Sequence, residues 1–379
     1  MTARCDVLVV GGGIAGLMTA WYLARDGVDV ILVEAGEYGA RASGANAGSL
    51  HLQIQYPEFA AYGEGWARRY APTLRFLKAS IAMWQDLPGD LGEDLDVTLK
   101  GGLVVARSDV QMRLIAAKAG VEASVGVEIR LLDAADLRRV APYLAKDAIG
   151  AGFCAMEGKA NPLRATPAVA GAAARAGARL IRGARVQRIE HGARGFTVTT
   201  NAGEFHATRV VNTAGAAAAD VAAMVGLTVE LGGFPLQVSV TEPIAPTIPH
   251  LVYSAAGKLS LKQAANGGCI IGGGWAAQVR EGGGLATDPR NFAGNMAMAA
   301  EVVPAMARTR VLRSWTAWVN GTQDWRPILG EAPGVPGFFL ALFPWVGFSA
   351  GPMTARVTAD LVQGRAPSID LKGISALYD

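Results

Sequence analysis

Cysteine is scarce in this chain. Cys5, Cys154 and Cys269 stand far apart, and no CxxC pair occurs among the 379 residues. That spacing supplies no ligand set for zinc or an iron–sulfur cluster, so no metal site is expected. The three thiols read instead as reduced, mostly buried residues of a cytoplasmic protein. Charge is sparse as well. Only 18% of residues are charged and the formal net charge is +3, with no Lys/Arg stripe of the kind that binds nucleic acid. The opening MTARCDVLVV runs directly into an apolar strand and lacks the charged, apolar and small-residue succession of a secretory signal. One uncharged run is long enough to span a bilayer, the 24 residues between Glu331 and Arg356. Four prolines interrupt it, and a spanning helix cannot satisfy the backbone groups that such breaks release. A buried strand, a glycine loop and a helix start explain it better, so no transmembrane segment is expected.

What is present is core material. Hydrophobic residues make up 51% of the chain, and at roughly 150 residues per domain its length fits two or three domains. Asp6–Val10 reads as a buried parallel strand. Ile14, Leu17 and Trp21 repeat at helical spacing up to Gly27, a left-handed cap. Val28–Val33 is a second β-branched run and ends at Glu34, which completes a βαβ unit of about 30 residues. Leu74, Phe76, Leu77, Ile81 and Trp84 mark an amphipathic helix. DVTLKGGLVVA reads as a hairpin turning at Gly101–Gly102, and RLLDAADLRRVAPYL as one helix stopped before Pro142. PLRATPAVAGAAARAGARLI predicts a long helix leading into a strand, and Arg209–Val211 a further apolar strand. From PLQVSVTEP to CIIGGGW, strands and turns suit a separate antiparallel sheet. GFFLALF returns to a buried strand, and GFSAGPMTARVTADLVQG closes the chain as a helix. The parallel elements therefore lie at the start, middle and end. They predict an α/β fold with one discontinuous domain over 1–80, 142–220 and 320–379, and an inserted one over 81–141 and 221–319.

Gly11, Gly13 and Gly16 form GxGxxG directly between a strand and a helix. The first glycine permits the turn, the second lets backbone approach a pyrophosphate, and the third allows close helix–strand packing. Glu34 stands at the end of the next strand, where an acid can accept from ribose hydroxyls. IIGGGWAAQV at Ile270–Val279 is no second site, because no helical run follows it and Trp275 would crowd the phosphates.

Five stretches carry a wider likeness: VVGGGIAGLMTAWYLARDG, ILVEAGEYGARASGANAGSLH, the GKANP turn, VVNTAGA, and PILGE, GFF, GFSAGP and TADLVQG at the end. In this order and spacing the chain resembles the D-amino-acid-oxidase-like (DAO) superfamily of FAD-dependent amine and amino-acid oxidoreductases. The resemblance implies a Rossmann-like FAD-binding domain of the GR2 type, an inserted α+β substrate domain with an antiparallel sheet, and FAD held non-covalently. It implies that Gly11, Gly13, Ile14, Ala15, Gly16, Glu34 and Ala35 hold the ADP half, with Val186 on the adenine side. Ser43, Gly44, Asn46, Ala47, Gly48, Ser49 and Leu50 would wrap the ribityl chain and the isoalloxazine edge. Thr213, Ala214 and Gly215 would cover the pyrophosphate. Gly347, Phe348, Ser349, Ala350, Gly351, Pro352 and Met353 would close over the flavin. SGANAGSLHLQIQ and LKQAANGGCIIGGG resemble the branch of glycine oxidase and of the opine and D-hydroxyproline dehydrogenase beta subunits. In that branch electrons often leave through companion subunits.

The reaction so implied passes a hydride from the carbon bearing nitrogen to flavin N5, and the imine then hydrolyses. The neutral amine activates the C–H bond, so the protein's work is orientation and electrostatics. His51 follows the flavin loop and is the first candidate at the reactive face. Tyr253 and Lys262 fall in the sheet that roofs the substrate pocket in relatives, and either could pair with a carboxylate. Gln55 and Tyr56 are weaker candidates of the same kind. One departure matters. Asn320 stands at about the position where glycine-oxidase-like enzymes carry an arginine that clamps the substrate carboxylate, while Arg326 reads as structural. That favours a bulkier or secondary amine, or another partner for the carboxylate, over a simple α-amino acid held by the usual clamp. The alternatives are an oxygen-using oxidase of the glycine/sarcosine oxidase type and a flavoprotein electron-relay subunit without its own substrate.

Overall fold

The computed structural model describes residues 2–378. The strand Thr2–Val10 is the centre of the first sheet. Val7, Leu8, Val9 and Val10 are all buried, because helices and a hairpin cover both faces of a parallel sheet. Its parallel neighbours are Val30–Val33 on one side and Gly203–Asn212 on the other. Arg179–Ile181 extends the sheet past Val30–Val33, and Phe338–Leu342 extends it past Gly203–Asn212. Ile328–Glu331 closes one edge in antiparallel sense. One face carries the helices Ile14–Arg25, Tyr56–Leu91, Pro162–Arg175 and Gly347–Val362. The other carries the hairpin Val186–Gly192 and Gly195–Thr200 with the short helix Ala218–Ala223.

The second sheet runs in the order Val311–Gly321, Gly232–Pro243, Gly268–Gly272, Ser260–Gln263, Leu251–Ser254, Gly102–Ala106, Gly150–Cys154, Arg130–Asp133. All neighbours are antiparallel except Leu251–Ser254 and Gly102–Ala106. Helices Ala134–Val140 and Pro289–Val302 cover its outer face. Tyr56, Val104, Ile115, Leu251 and Tyr253 pack on the inner face, toward the first sheet.

Two local expectations differ from this architecture. Gly101 and Gly102 do not reverse the chain. A Cβ on Gly102 would lie 1.9 Å from Glu157 Oε2, so that glycine makes room for a buried carboxylate and opens a strand instead. RLLDAADLRRV is not one helix. Asp133 accepts from the amides of Ala135 and Asp136 at 2.8 Å each, and this N-cap ends the strand Arg130–Asp133 and starts the helix. The helix Tyr56–Leu91, kinked at Gly63, buries Trp84, Leu87 and Leu91 in the first core, and Gly150–Cys154 belongs to the second sheet.

The closing helix begins at Gly347 and takes GFSAGP into its first turns, and its residues Val357 and Ala359 are fully buried. No helix among the described residues is long and apolar enough to cross a membrane. Cys5, Cys154 and Cys269 are free and buried. Burial pushes the first two thiols up to about 12.

The glycine turn is sterically closed. A Cβ on Gly16 would lie 2.0 Å from Gly11 O and 2.5 Å from Thr213 Oγ1. Gly16→Ala is expected to cost about 1–3 kcal/mol by overpacking. Thermal unfolding and the flavin content of the purified variant check this.

Candidate active site

The turn leaves the first strand at Val10, whose partners are Val33 and Asn212. It therefore stands over the carboxyl ends of three adjacent parallel strands, where open α/β sheets take their ligands. Gly11 has φ +113°, and a Cβ there would meet Thr213 O at 2.7 Å. Thr213 Oγ1 donates to the carbonyls of Val10 or Gly11, at 2.9 and 3.0 Å. Ser43 Oγ accepts from Ile14 N at 2.9 Å and ties the next loop to the helix start. The Glu34 carboxylate accepts from Gly12 N at 2.7 Å and Gly36 N at 2.8 Å, which fixes it beside the turn.

A cavity of about 900 Å³ begins here, with Gly13, Ile14 and Ala15 on its wall, and reaches His51, Tyr253 and Asn320. Two helix N-termini open onto it, that of Ile14–Arg25 and that of Gly347–Val362, whose Gly347, Phe348 and Ser349 line it. Their exposed N–H groups and dipoles favour anionic groups. Between them runs the loop from Ala42 to Leu50. Asn46 stiffens it by donating to Ser43 O at 2.6 Å and accepting from Gly48 N at 2.6 Å. Gly48 has φ +78°, and a Cβ there would strike Ala160 O at 2.3 Å.

Ser349 fastens the chain beyond this loop. Its hydroxyl accepts from His51 N at 2.8 Å and donates to Ser49 O at 3.1 Å. Its carbonyl accepts from Ser80 Oγ at 2.7 Å and Trp84 Nε1 at 3.1 Å. His51 Nδ1 lies 2.8 Å from the Tyr253 hydroxyl. Burial, and then the charge of Lys262, push the imidazole down to about 3, so His51 is neutral at physiological pH. Burial, followed by Glu157, holds the Tyr253 phenol well above its usual range.

A buried charged cluster lies behind this pair. Glu157 Oε1 accepts from Leu52 N at 2.7 Å and Gln53 N at 2.9 Å. Glu122 Oε1 accepts from Ile54 N and from Lys118 Nζ, at 2.7 Å each. Lys118, Glu122 and Glu157 are 0% exposed, and burial raises both carboxyl groups above their usual range. These residues carry no motif. They meet only because the helix Asp109–Ala123 and the Glu157 turn converge on Gln53.

The expected residues divide into wall and support. Gly13, Ile14, Ala15, Ser43, Asn46, Ala47, Ser49, Thr213, Gly215, Gly347, Phe348 and Ser349 line the cavity, as do His51, Tyr253, Asn320, Gln55 and Tyr56. Gly11, Gly16, Gly44, Gly48, Leu50 and Ala214 shape the backbone behind it. Ala350, Gly351, Pro352 and Met353 are buried inside the helix. A Cβ on Gly351 would lie 3.1 Å from Ile14, so this stretch packs helix on helix. Ala35 and Val186 stand away from the wall, and Ala35 is exposed. Lys262 is not on the wall either. It is 1% exposed and donates to Ser49 Oγ at 2.6 Å, so Ser49 stands between it and the cavity. Arg326 donates to Ser375 O at 3.3 Å, a structural placement.

An α/β dinucleotide-binding protein with a second sheet roofing its cofactor cleft is the class that this fold and cavity define. Residues 6–361 match the family described as FAD dependent oxidoreductase (DAO), and the chain belongs to that family. It is similar to an opine oxidase subunit of Rhizobium meliloti, 29% identical with 88% of this chain and 87% of that protein covered. It is 28% identical to the beta subunit of sarcosine oxidase from Rhizobium meliloti (strain 1021), covering 96% and 85%. The crystal structure of glycine oxidase from Geobacillus kaustophilus superposes with a TM-score of 0.85 at 26% identity, over 98% of each chain. The cofactor of this family is FAD, and the residues fit it. The glycine turn admits a pyrophosphate without side-chain obstruction, and two helix N-termini face the same cavity.

Lys262 has a measurable signature. Burial, and then Lys159, pull its ammonium down to about 7 from the ordinary 10.5. Between those values the unfolded chain binds more protons than the folded one, so stability rises with pH across that window and is lowest below pH 7. Lys262→Met should raise the melting temperature at pH 6 and flatten the slope between pH 7 and pH 10. Thermal unfolding across that range is the check.

Proposed function

We propose that the chain is an FAD-dependent dehydrogenase subunit that oxidises the C–N bond of an amino acid or secondary amine. The observation that carries this reading is the single continuous cavity from the glycine turn at Gly13 to the His51–Tyr253 pair. Gly11, Gly13, Gly16 and Thr213 would cradle the pyrophosphate, with Glu34 beside the ribose. Ser43, Asn46 and Ser49 would follow the ribityl chain. The start of the helix Gly347–Val362 would face the pyrimidine edge, where its positive end favours negative charge. Bound FAD supplies a hydride acceptor.

The chain's own residues orient the donor. His51, neutral and held by Tyr253, offers its second ring nitrogen to the substrate nitrogen as a hydrogen-bond partner. It stays uncharged and so does not repel a substrate ammonium. Asn320 and Thr322 supply neutral polar contacts on the same wall. The imine product hydrolyses in water. Relatives named as subunits of opine and sarcosine oxidases support a companion that takes the electrons onward. Buried free thiols support a reducing, cytoplasmic setting.

Anaerobic mixing of the purified yellow protein with sarcosine, proline, D- and L-amino acids and opines should bleach the flavin with at least one class. Failure of every amine would sink the reading. Persistence of the bleached state when air is readmitted marks a dehydrogenase, whereas rapid recoloration with peroxide marks the oxidase. His51→Asn should slow flavin reduction by about 10- to 100-fold. The rate in the native protein should rise with pH as the substrate amine loses its proton. It should show no limb near the ordinary histidine value, because His51 titrates near 3.

A further inference from the structure

One wall of the cavity is aromatic, and the flavin reading assigns these rings no role. Phe234 packs on Trp345 with ring centroids 4.4 Å apart. Trp345 stacks on Trp325 at 5.1 Å. Trp325 meets Trp66 edge-on at 6.1 Å, and Tyr62 follows 5.5 Å from Trp66. Phe234, Trp325, Trp345 and Tyr62 all line the main cavity. Phe234 is 39% exposed and Tyr62 58%, so these rings keep open surface. Apolar surface left open on a cavity wall marks a place where something apolar binds.

The backbone carries a second, independent sign. Among the described residues only three other than glycine have positive φ, and two of them are Trp325 at +69° and Trp345 at +59°. Bulky residues avoid this region, and such strain persists where the surroundings over-determine it. Here Trp345 N donates to Asn320 O at 2.9 Å and its indole Nε1 to Thr322 O at 3.2 Å. A Cβ on Gly321 would lie 2.4 Å from the Trp345 ring and 2.7 Å from Phe234, so that glycine exists for these rings. Filling a core needs no strained tryptophan; presenting a particular ring face does.

The charges agree. No arginine lines the cavity among the described residues, and Lys258 is the one lysine on the wall, while Glu58 and Glu230 are carboxylates. A substrate anchored chiefly through its carboxylate finds little to hold it. We propose that the aromatic wall binds a ring or similarly flat apolar substituent of the substrate, which makes the substrate class arylalkyl amines rather than small glycine-like ones. The inference rests on the amine reading above. A buried ring gains area burial and a stacking contribution that a methyl group does not.

Sarcosine and N-benzylglycine share the reacting secondary amine and differ in a methyl against a benzyl group. In anaerobic reduction of the holoenzyme, N-benzylglycine should half-saturate at a concentration about tenfold lower or less. Phe234→Ala should raise that value about tenfold more than it raises the value for sarcosine. Equal saturation by the two amines, or equal loss for both in the variant, overturns the proposal. Benzamide and acetamide probe the wall without turnover, through the shift of the flavin absorption band. Tighter binding of benzamide, lost in Phe234→Ala, supports the aromatic site even where no amine bleaches the flavin, an outcome that would sink the amine reading alone. Benzamide binding no tighter than acetamide refutes the aromatic site.

Discussion

The backbone from Ser49 to Ile54 has almost no sheet to pair with, and the site is organised around that constraint. Ser49 and Leu50 pair with Lys159 and Gly158. Beyond them the amides of His51, Leu52, Gln53 and Ile54 go to side-chain oxygens of Ser349, Glu157 and Glu122. Buried amides left unpaired cost about 1–3 kcal/mol each, so acceptors have to be brought to them. Two carboxylates then lie in the interior, and Lys118 offsets their charge. This explains an otherwise costly burial of three ionisable groups. It also explains the rigidity of His51, whose own amide and following residues are fixed from three different elements.

The same arrangement grades the electrostatics of the cavity. Two helix N-termini gather at the cofactor end, with the Lys262 ammonium behind Ser49. Glu58 and Glu230 lie on the wall with Tyr62, at its aromatic end. Burial raises the Glu58 carboxyl above its usual range. Anionic groups are favoured at one end, and a cationic amine is tolerated at the other. Between the two stands a histidine that carries no charge.

Much of the first sheet was legible in the sequence. Its strands are continuous apolar runs, its glycine turn sits between a strand and a helix, and its last helix covers the GFSAGPMTARVTADLVQG stretch read as helical. Each signal is local. The failures were local patterns with a distant cause. Gly102 looked like a turn residue, but its missing side chain answers to Glu157, 55 positions on. Asp133 lay inside an apparently continuous helical pattern and acted as its cap. Lys262 had the right chemistry for a carboxylate and shares its strand face with Ser260, but its ammonium is taken by Ser49 Oγ, which stands between it and the cavity. The tryptophan pair left no trace in periodicity, because Trp325 and Trp345 meet through loops, each in a backbone conformation that propensity assigns to glycine.

The chain crosses repeatedly between the two sheets, so each sheet is built from segments far apart in sequence. Phe338–Leu342 completes the sheet beside Gly203–Asn212, and Gly347–Val362 packs on the helix Ile14–Arg25. The wall of the cavity is thus assembled from residues as far apart as Gly13 and Thr354. Loosening either flank of the sheet would open the same cavity, so retention of the cofactor reports on the docking of segments that are remote in sequence.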